Sequence, residues 1–278
     1  MTPGGEGSGT VVGYGGGIGG WSMMGKRVGF TRMAERGGKF SVGGSYGEYV
    51  VTNAYQCVTL DKKATWEQGA CSFVNPLTAI GLLDKAKQYK AKAVIQTGAA
   101  SQLGRMLIKV FKQAGIPLIN VVRREEQIEL LKKEYGADYV LNSCSESFDK
   151  DLYELSKKLK ANVALECVAG EMTGKVMQVL AVGGICISYG QLSEQKIGPL
   201  NPIILIFKHQ RLESFLLPYW IASKNLWGQY QAIQASKKLI ESVVVNKCFG
   251  FHQVNEAIEY YKTNMTSGKV FLKPSLTE

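Results

Sequence analysis

Histidine is nearly absent: His209 and His252 are the only two in 278 residues. The six cysteines (Cys57, Cys71, Cys144, Cys167, Cys186, Cys248) stand singly, with no C-x-x-C pair. A zinc site needs four N, S or O ligands in tetrahedral reach, so no metal is expected. Five of the six cysteines lie beside apolar or small residues, which suits reduced, buried thiols of an intracellular protein. Nowhere does an apolar run approach the ~20 residues that cross a bilayer, and Met1 is not followed by a charged segment and then an apolar one. The expectation is no membrane span, no targeting segment, and a cytoplasmic or mitochondrial matrix location. Basic runs are missing too: the net charge of +10 is spread along the chain with no run of five. Nucleic acid is therefore not the expected partner.

What is present fits an ordinary globular protein. Hydrophobic residues make up 45% and charged residues 20%, which excludes wholesale disorder and fibrous repeats. At this length the chain holds one large or two ordinary domains. More than half of the 32 glycines fall in residues 1–47, where the run Gly4-Gly5-Glu6-Gly7-Ser8-Gly9 precedes Val11-Val12. That density predicts short twisted strands with tight turns, further strands at Arg27–Phe30 and Tyr46–Val51, and an all-β segment over residues 1–75.

From Pro76 the period changes. Val94-Ile95-Gln96 is a short apolar run, and Leu103, Met106, Leu107, Val110, Phe111 and Ala114 then form one helical stripe. Strands are predicted at Ile119–Val122, Tyr139–Leu141, Val163–Cys167 and Ile185–Tyr189, alternating with helices at Glu125–Tyr135, Asp149–Lys160 and Glu171–Leu180. Such alternation means a parallel sheet with right-handed helical crossovers. A helix at Tyr230–Val243 is read as closing that domain, and the tail carries a helix at Val254–Met265 and a strand at Val270–Leu272.

The turn after the first parallel strand reads Thr97-Gly98-Ala99-Ala100-Ser101-Gln102-Leu103-Gly104. On a G-x-G-x-x-G template ending at Gly104, Ala99 and Ser101 occupy the first two glycine positions. Both are small enough to let the backbone approach a pyrophosphate at a helix N-terminus. A tight strand-to-helix turn would also need small residues, so the loop alone does not decide. About 20 positions downstream, where the fingerprint places an acid for the ribose hydroxyls, the chain has Arg123-Arg124. Two guanidinium groups suit a 2′-phosphate; the bland alternative is two solvated arginines.

At these residues the chain resembles the zinc-independent members of the medium-chain dehydrogenase/reductase superfamily, in the quinone oxidoreductase and trans-2-enoyl thioester reductase branch. The stretches that carry the resemblance include PGGEGSGTVV (3–12), GGSYGEYVV (43–51), VNPLTA (74–79), VIQTGAASQLG (94–104), INVVRRE (119–125), GADYVLN (136–142), GGICISYGQLS (183–193), LIFKHQRLESFLL (205–217) and SGKVFLKP (267–274). Zinc-dependent relatives have His-Glu where this chain has Gly5-Glu6. The resemblance implies an α/β fold: a Rossmann doubly wound parallel sheet (77–243) plus an incomplete GroES-like β domain (1–76 with 244–278). It also implies NADPH as cofactor and reduction of an activated C=C or a quinone; the opening strands missing from the β domain would leave unpaired edges and apolar surface, so a homo-oligomer, a dimer, is expected. The cofactor contacts implied are Asn75, Thr78, Ala100, Ser101, Gln102, Leu103, Gly104, Arg123, Arg124, Tyr189, Gly190, Phe215, Leu216, Leu217 and Lys269.

Family members carry a further stretch before the PGxEG motif, with a tyrosine taken to assist the chemistry, so a truncated chain with no assignable catalytic residue is expected. Two alternatives compete. A non-catalytic NADPH-binding or assembly protein would keep the nucleotide domain alone. A short-chain dehydrogenase would use Tyr153 and Lys157, but those lie on the surface of a helix whose apolar face needs Leu152, Leu155 and Leu159.

Overall fold

The computed structural model describes residues 2–31, 44–240 and 243–274. It divides into two compact units, Met1–Thr78 with Lys224–Glu278, and Ala79–Ser223. Residues 224–243, which the periodicity groups with the nucleotide domain, cluster with the first unit.

The first unit opens with β1 (Glu6–Thr10), α1 (Gly17–Met23), β2 (Arg27–Thr31), β3 (Cys57–Thr59) and α2 (Trp66–Ala70), followed by the start of α3 (Val74–Gln88). The strands form an antiparallel sheet in the order β1-β2-β3. Two expectations fail here. Residues 1–75 are not all β, because α1, α2 and the first residues of α3 intervene. The α2 helix starts on a capping box, in which the Thr65 hydroxyl accepts from the Gln68 amide at 3.2 Å and the Gln68 side chain accepts from the Thr65 amide at 2.9 Å. That Thr-x-x-Gln signal is legible in sequence. Nor is Tyr46–Val51 a strand: residues 45–48 are bends, and Tyr49 and Val51 are 81% and 65% exposed. An alternating pattern makes a strand only where a neighbour takes up its backbone groups and one face is buried. In α3, Pro76 sits in the first turn, where a missing N–H costs nothing.

The second unit continues α3 and alternates strand with helix: β4 (Val94–Gln96), α4 (Gln102–Gln113), β5 (Leu118–Val122), α5 (Glu125–Tyr135), β6 (Tyr139–Asn142), α6 (Phe148–Leu159), β7 (Val163–Glu166), α7 (Glu171–Val179), β8 (Ile185–Ser188), α8 (Pro202–Phe207), β9 (Arg211–Ser214) and α9 (Leu217–Ala222). All six strands are parallel, in the order β6-β5-β4-β7-β8-β9. The strand order reverses between β4 and β7, as in a doubly wound nucleotide-binding sheet. Ile95, Ile119, Val121 and Ala164 from the strands pack with Phe148 and Leu152 of α6, Val176 and Met177 of α7, and Leu180 just beyond it. The α4 stripe read from sequence is buried at Met106, Leu107, Val110 and Phe111.

The first unit resumes with α10 (Leu226–Lys237), then β10 (Val245–Gly250), α11 (Val254–Asn264) and β11 (Lys269–Lys273), the last two strands pairing in parallel. A cleft of about 2110 Å³ opens in this unit. No helix among the described residues is long and apolar enough to cross a membrane. All six cysteines are free, but only Cys71, Cys167 and Cys186 are buried; Cys144 is exposed. The expected set of buried thiols is thus too large, because flanking small residues do not by themselves place a side chain inside.

Candidate functional site

In a doubly wound sheet, ligands bind beyond the carboxyl ends of the strands, where the order reverses. The loop from Thr97 to Ser101 leaves β4 at that point. Gly98 turns it with φ +62°, and the Ser101 hydroxyl caps α4 by accepting the Gly104 amide at 3.1 Å. A Cβ at Gly104 would stand 2.4 Å from the Ala99 carbonyl oxygen, so only glycine lets the helix lie this close to the loop. The first-turn amide of Leu103 has no acceptor within the helix and, with the helix dipole, favours an anion. Ala100, Gln102 and Gly104 are buried, whereas Ser101 and Leu103 reach the surface.

Arg123 and Arg124 follow β5, the strand next to β4, and both are exposed. They differ in a way the sequence does not show. The Arg124 Nε pairs with Glu126 at 3.0 Å. Arg123 makes no ion pair among the described residues, while its backbone amide donates to the buried Gln127 at 3.1 Å.

Across the switch point, β7 ends on Glu166, which is completely buried. Its carboxylate accepts from the Val168 and Ala169 amides at 2.7 and 3.0 Å and from the Thr97 and Thr173 hydroxyls at 3.2 and 3.0 Å. A buried charge persists only when so satisfied. The effect is to tie the start of the β4 loop to the β7 loop, since the Thr97 hydroxyl also accepts the Cys167 amide at 2.9 Å. The Cys167 thiol is raised by burial, and Tyr189, hydrogen-bonded to it, is held well above the usual phenol range, first by burial and then by Cys167 and Glu166. Both stay protonated at neutral pH. Gly190 packs on Cys167, where a Cβ would come within 3.0 Å of the cysteine's own Cβ.

Phe215 follows β9 and is buried against Trp220, ring centroids 6.2 Å apart. Leu217 is buried and Leu216 is 53% exposed. Thus the loop residues, the arginine pair, Tyr189-Gly190 and Phe215–Leu217 all follow the carboxyl ends of strands in one sheet. Asn75, Thr78 and Lys269 belong to the first unit. There, Glu6 accepts the Val74 amide at 2.7 Å, which fixes the turn before Asn75. Burial raises the Glu6 carboxyl, opposed by that amide and by the charge of Lys269.

Sequence reasoning passed over Glu166 and the buried pair Gln96 and Asn120, whose side chains are linked at 2.6 Å across β4 and β5. A polar residue inside an otherwise apolar strand run is the signal that marks them. Tyr153 and Lys157 lie exposed on α6, the ammonium 6.0 Å from the ring centroid, as expected of a helix surface. Among the described residues no group of three or more His, Cys, Asp or Glu is placed to hold a metal ion.

Comparison with known proteins places this geometry. Residues 103–233 match the family model described as zinc-binding dehydrogenase. The chain is 34% identical over 167 residues to a mitochondrial enoyl-[acyl-carrier-protein] reductase of Caenorhabditis elegans, covering 58% of this chain and 46% of that one. It spans about half the length of such curated relatives. It is 26% identical over 245 residues to a Leishmania amazonensis protein assigned as a quinone oxidoreductase, covering 83% and 70%. A solved Mesorhizobium loti structure, assigned as an NADPH:quinone reductase, superimposes with a TM-score of 0.86 at 33% identity, covering 97% of this chain and 77% of that one. With the reversal of strand order, the small-residue loop and that degree of identity along the solved relative, this chain belongs to the medium-chain dehydrogenase/reductase superfamily.

Proposed function

We propose that the chain binds NADPH and reduces an activated carbon–carbon double bond conjugated to a carbonyl, as in a 2-enoyl thioester, or a quinone. One observation carries this reading: the small-residue loop that leads to the Ser101 cap of α4 follows a strand whose neighbour, β5, is followed directly by Arg123, an exposed guanidinium with no ion pair among the described residues. The loop fits a pyrophosphate, because Gly104 leaves no room for a side chain between loop and helix. NADPH would supply the hydride there. The first-turn amides of α4 hold the phosphates, Arg123 the 2′-phosphate, and the Glu166 cage keeps the two loops in register around them. Hydride addition to the β-carbon leaves an enolate that needs hydrogen-bond donors and a proton; no side chain is assigned that role.

Calorimetric titration of NADPH and NADH tests the reading. NADPH is expected to bind more tightly, and equal affinities would remove the assignment. Oxidation of NADPH in the presence of a crotonyl thioester or a quinone then separates a reductase from an NADPH-binding protein without turnover.

A further inference from the structure

We propose that Arg105 is the positioning residue of the phosphate loop, an assignment that rests on the NADPH reading above. Arg105 lies in the first turns of α4 and is only 5% exposed. Buried guanidinium groups persist where their N–H groups find acceptors. Its Nε donates to the Ala100 carbonyl at 3.0 Å. Its Nη1 reaches the Tyr135 hydroxyl at 3.4 Å, with the guanidinium carbon 5.4 Å from the centre of that ring. Tyr135 is the last residue of α5, so this one side chain joins the loop before α4 to the end of the next helix.

The position explains the reach. Side chains on a helix slant towards its N-terminus, which lets residue 105 turn back to a carbonyl five residues earlier. That carbonyl belongs to the peptide between Ala100 and Ser101, whose N–H donates to the Gly98 carbonyl at 3.0 Å. A planar peptide held at both ends has a fixed orientation. The Gly104 carbonyl, on the far side of the cap, is held by the buried Gln96 Nε2 at 3.1 Å. The backbone that must meet the pyrophosphate is therefore set from beneath by Arg105 and Gln96. Arg105 also adds a permanent positive charge to the helix N-terminus. The ligand group it serves is the pyrophosphate, common to NADPH and NADH, rather than the 2′-phosphate.

That distinction gives the test. Arg105→Met keeps the apolar stem and removes the donors and the charge; Arg105→Lys keeps the charge and one donor group. NADPH, NADH and adenosine 2′-monophosphate, which has no pyrophosphate, are titrated into the native protein and both variants, with thermal melting as a check on folding. The methionine variant is expected to weaken NADPH and NADH by the same factor, about tenfold to a hundredfold for a charge-assisted hydrogen bond, and to leave adenosine 2′-monophosphate unchanged. The lysine variant should recover most of the loss but remain a few-fold weaker than native for both dinucleotides. A folded methionine variant with native affinities overturns the proposal, as does a loss confined to NADPH and adenosine 2′-monophosphate. Should the methionine variant fail to fold, native-like dinucleotide binding by the lysine variant overturns it. If the native protein binds neither dinucleotide, the NADPH reading fails and takes this one with it.

Discussion

Arg123 and Arg124 are neighbours in sequence but not equivalent in the fold. Arg124 stands just before the first turn of α5 and already holds Glu126, whereas Arg123 has its guanidinium in solvent just past β5. Exposed ion pairs contribute little to stability, yet a side chain already paired must give up that partner to meet a phosphate. Arg123→Ala should therefore weaken NADPH by about tenfold or more, the worth of one charge-assisted hydrogen bond, with NADH nearly unchanged. Arg124→Ala should weaken NADPH by a smaller factor. Titration of both cofactors into both single variants checks this, and equal losses would show that the Glu126 pair does not matter. The pair of arginines was legible in the sequence as a position on a fingerprint. Which of the two is free was not, because it depends on where the next helical turn puts Glu126.

At the scale of elements, legibility followed local signals. The α5 helix was read at its true ends because Gly136 stops it in a left-handed turn and acidic residues fill its first turn. The α4 helix was read from its apolar stripe, and its cap adds a prediction. Ser101→Ala leaves the Gly104 amide without its acceptor, so the second unit should lose about 1 kcal/mol, as helix caps usually do; urea denaturation measures it, and no change would mean that water replaces the hydroxyl. Elements without a local signal were missed. The α8 and α9 helices are six residues each, too short for a period to emerge. Among the described residues β9 pairs only with β8 and has a mostly exposed pattern, so no apolar run announces it. Conversely, Tyr46–Val51 has the alternation of a strand but no ladder, since β-structure needs a partner that the segment itself does not supply.

For the whole molecule, burial sets a pH limit on stability. The Cys71 and Cys186 thiols are pushed up to about 12 by desolvation, while a thiol in the unfolded chain ionises near about 8.5. Between those values the unfolded state has released protons that the folded state keeps. The stability present below about pH 8.5 is therefore lost progressively as pH rises towards 12. Cys186→Ala should lower stability at neutral pH through the cavity it leaves, but its decline with alkaline pH should be shallower than that of the native protein. Chemical denaturation along a pH series compares the slopes, and parallel curves would show that Cys186 does not titrate in this window. The sequence by itself determined the alternation of strand and helix, the parallel sheet, the small-residue loop and the position of the arginines, all of which depend on periodicity or on spacing along the chain. Only the tertiary structure decided that Glu166 is caged by donors from two loops, that Gln96 and Arg105 hold the backbone between β4 and α4, and that one arginine is paired while the other is not. Burial and hydrogen-bond partners come from residues distant in sequence, so no local pattern encodes them.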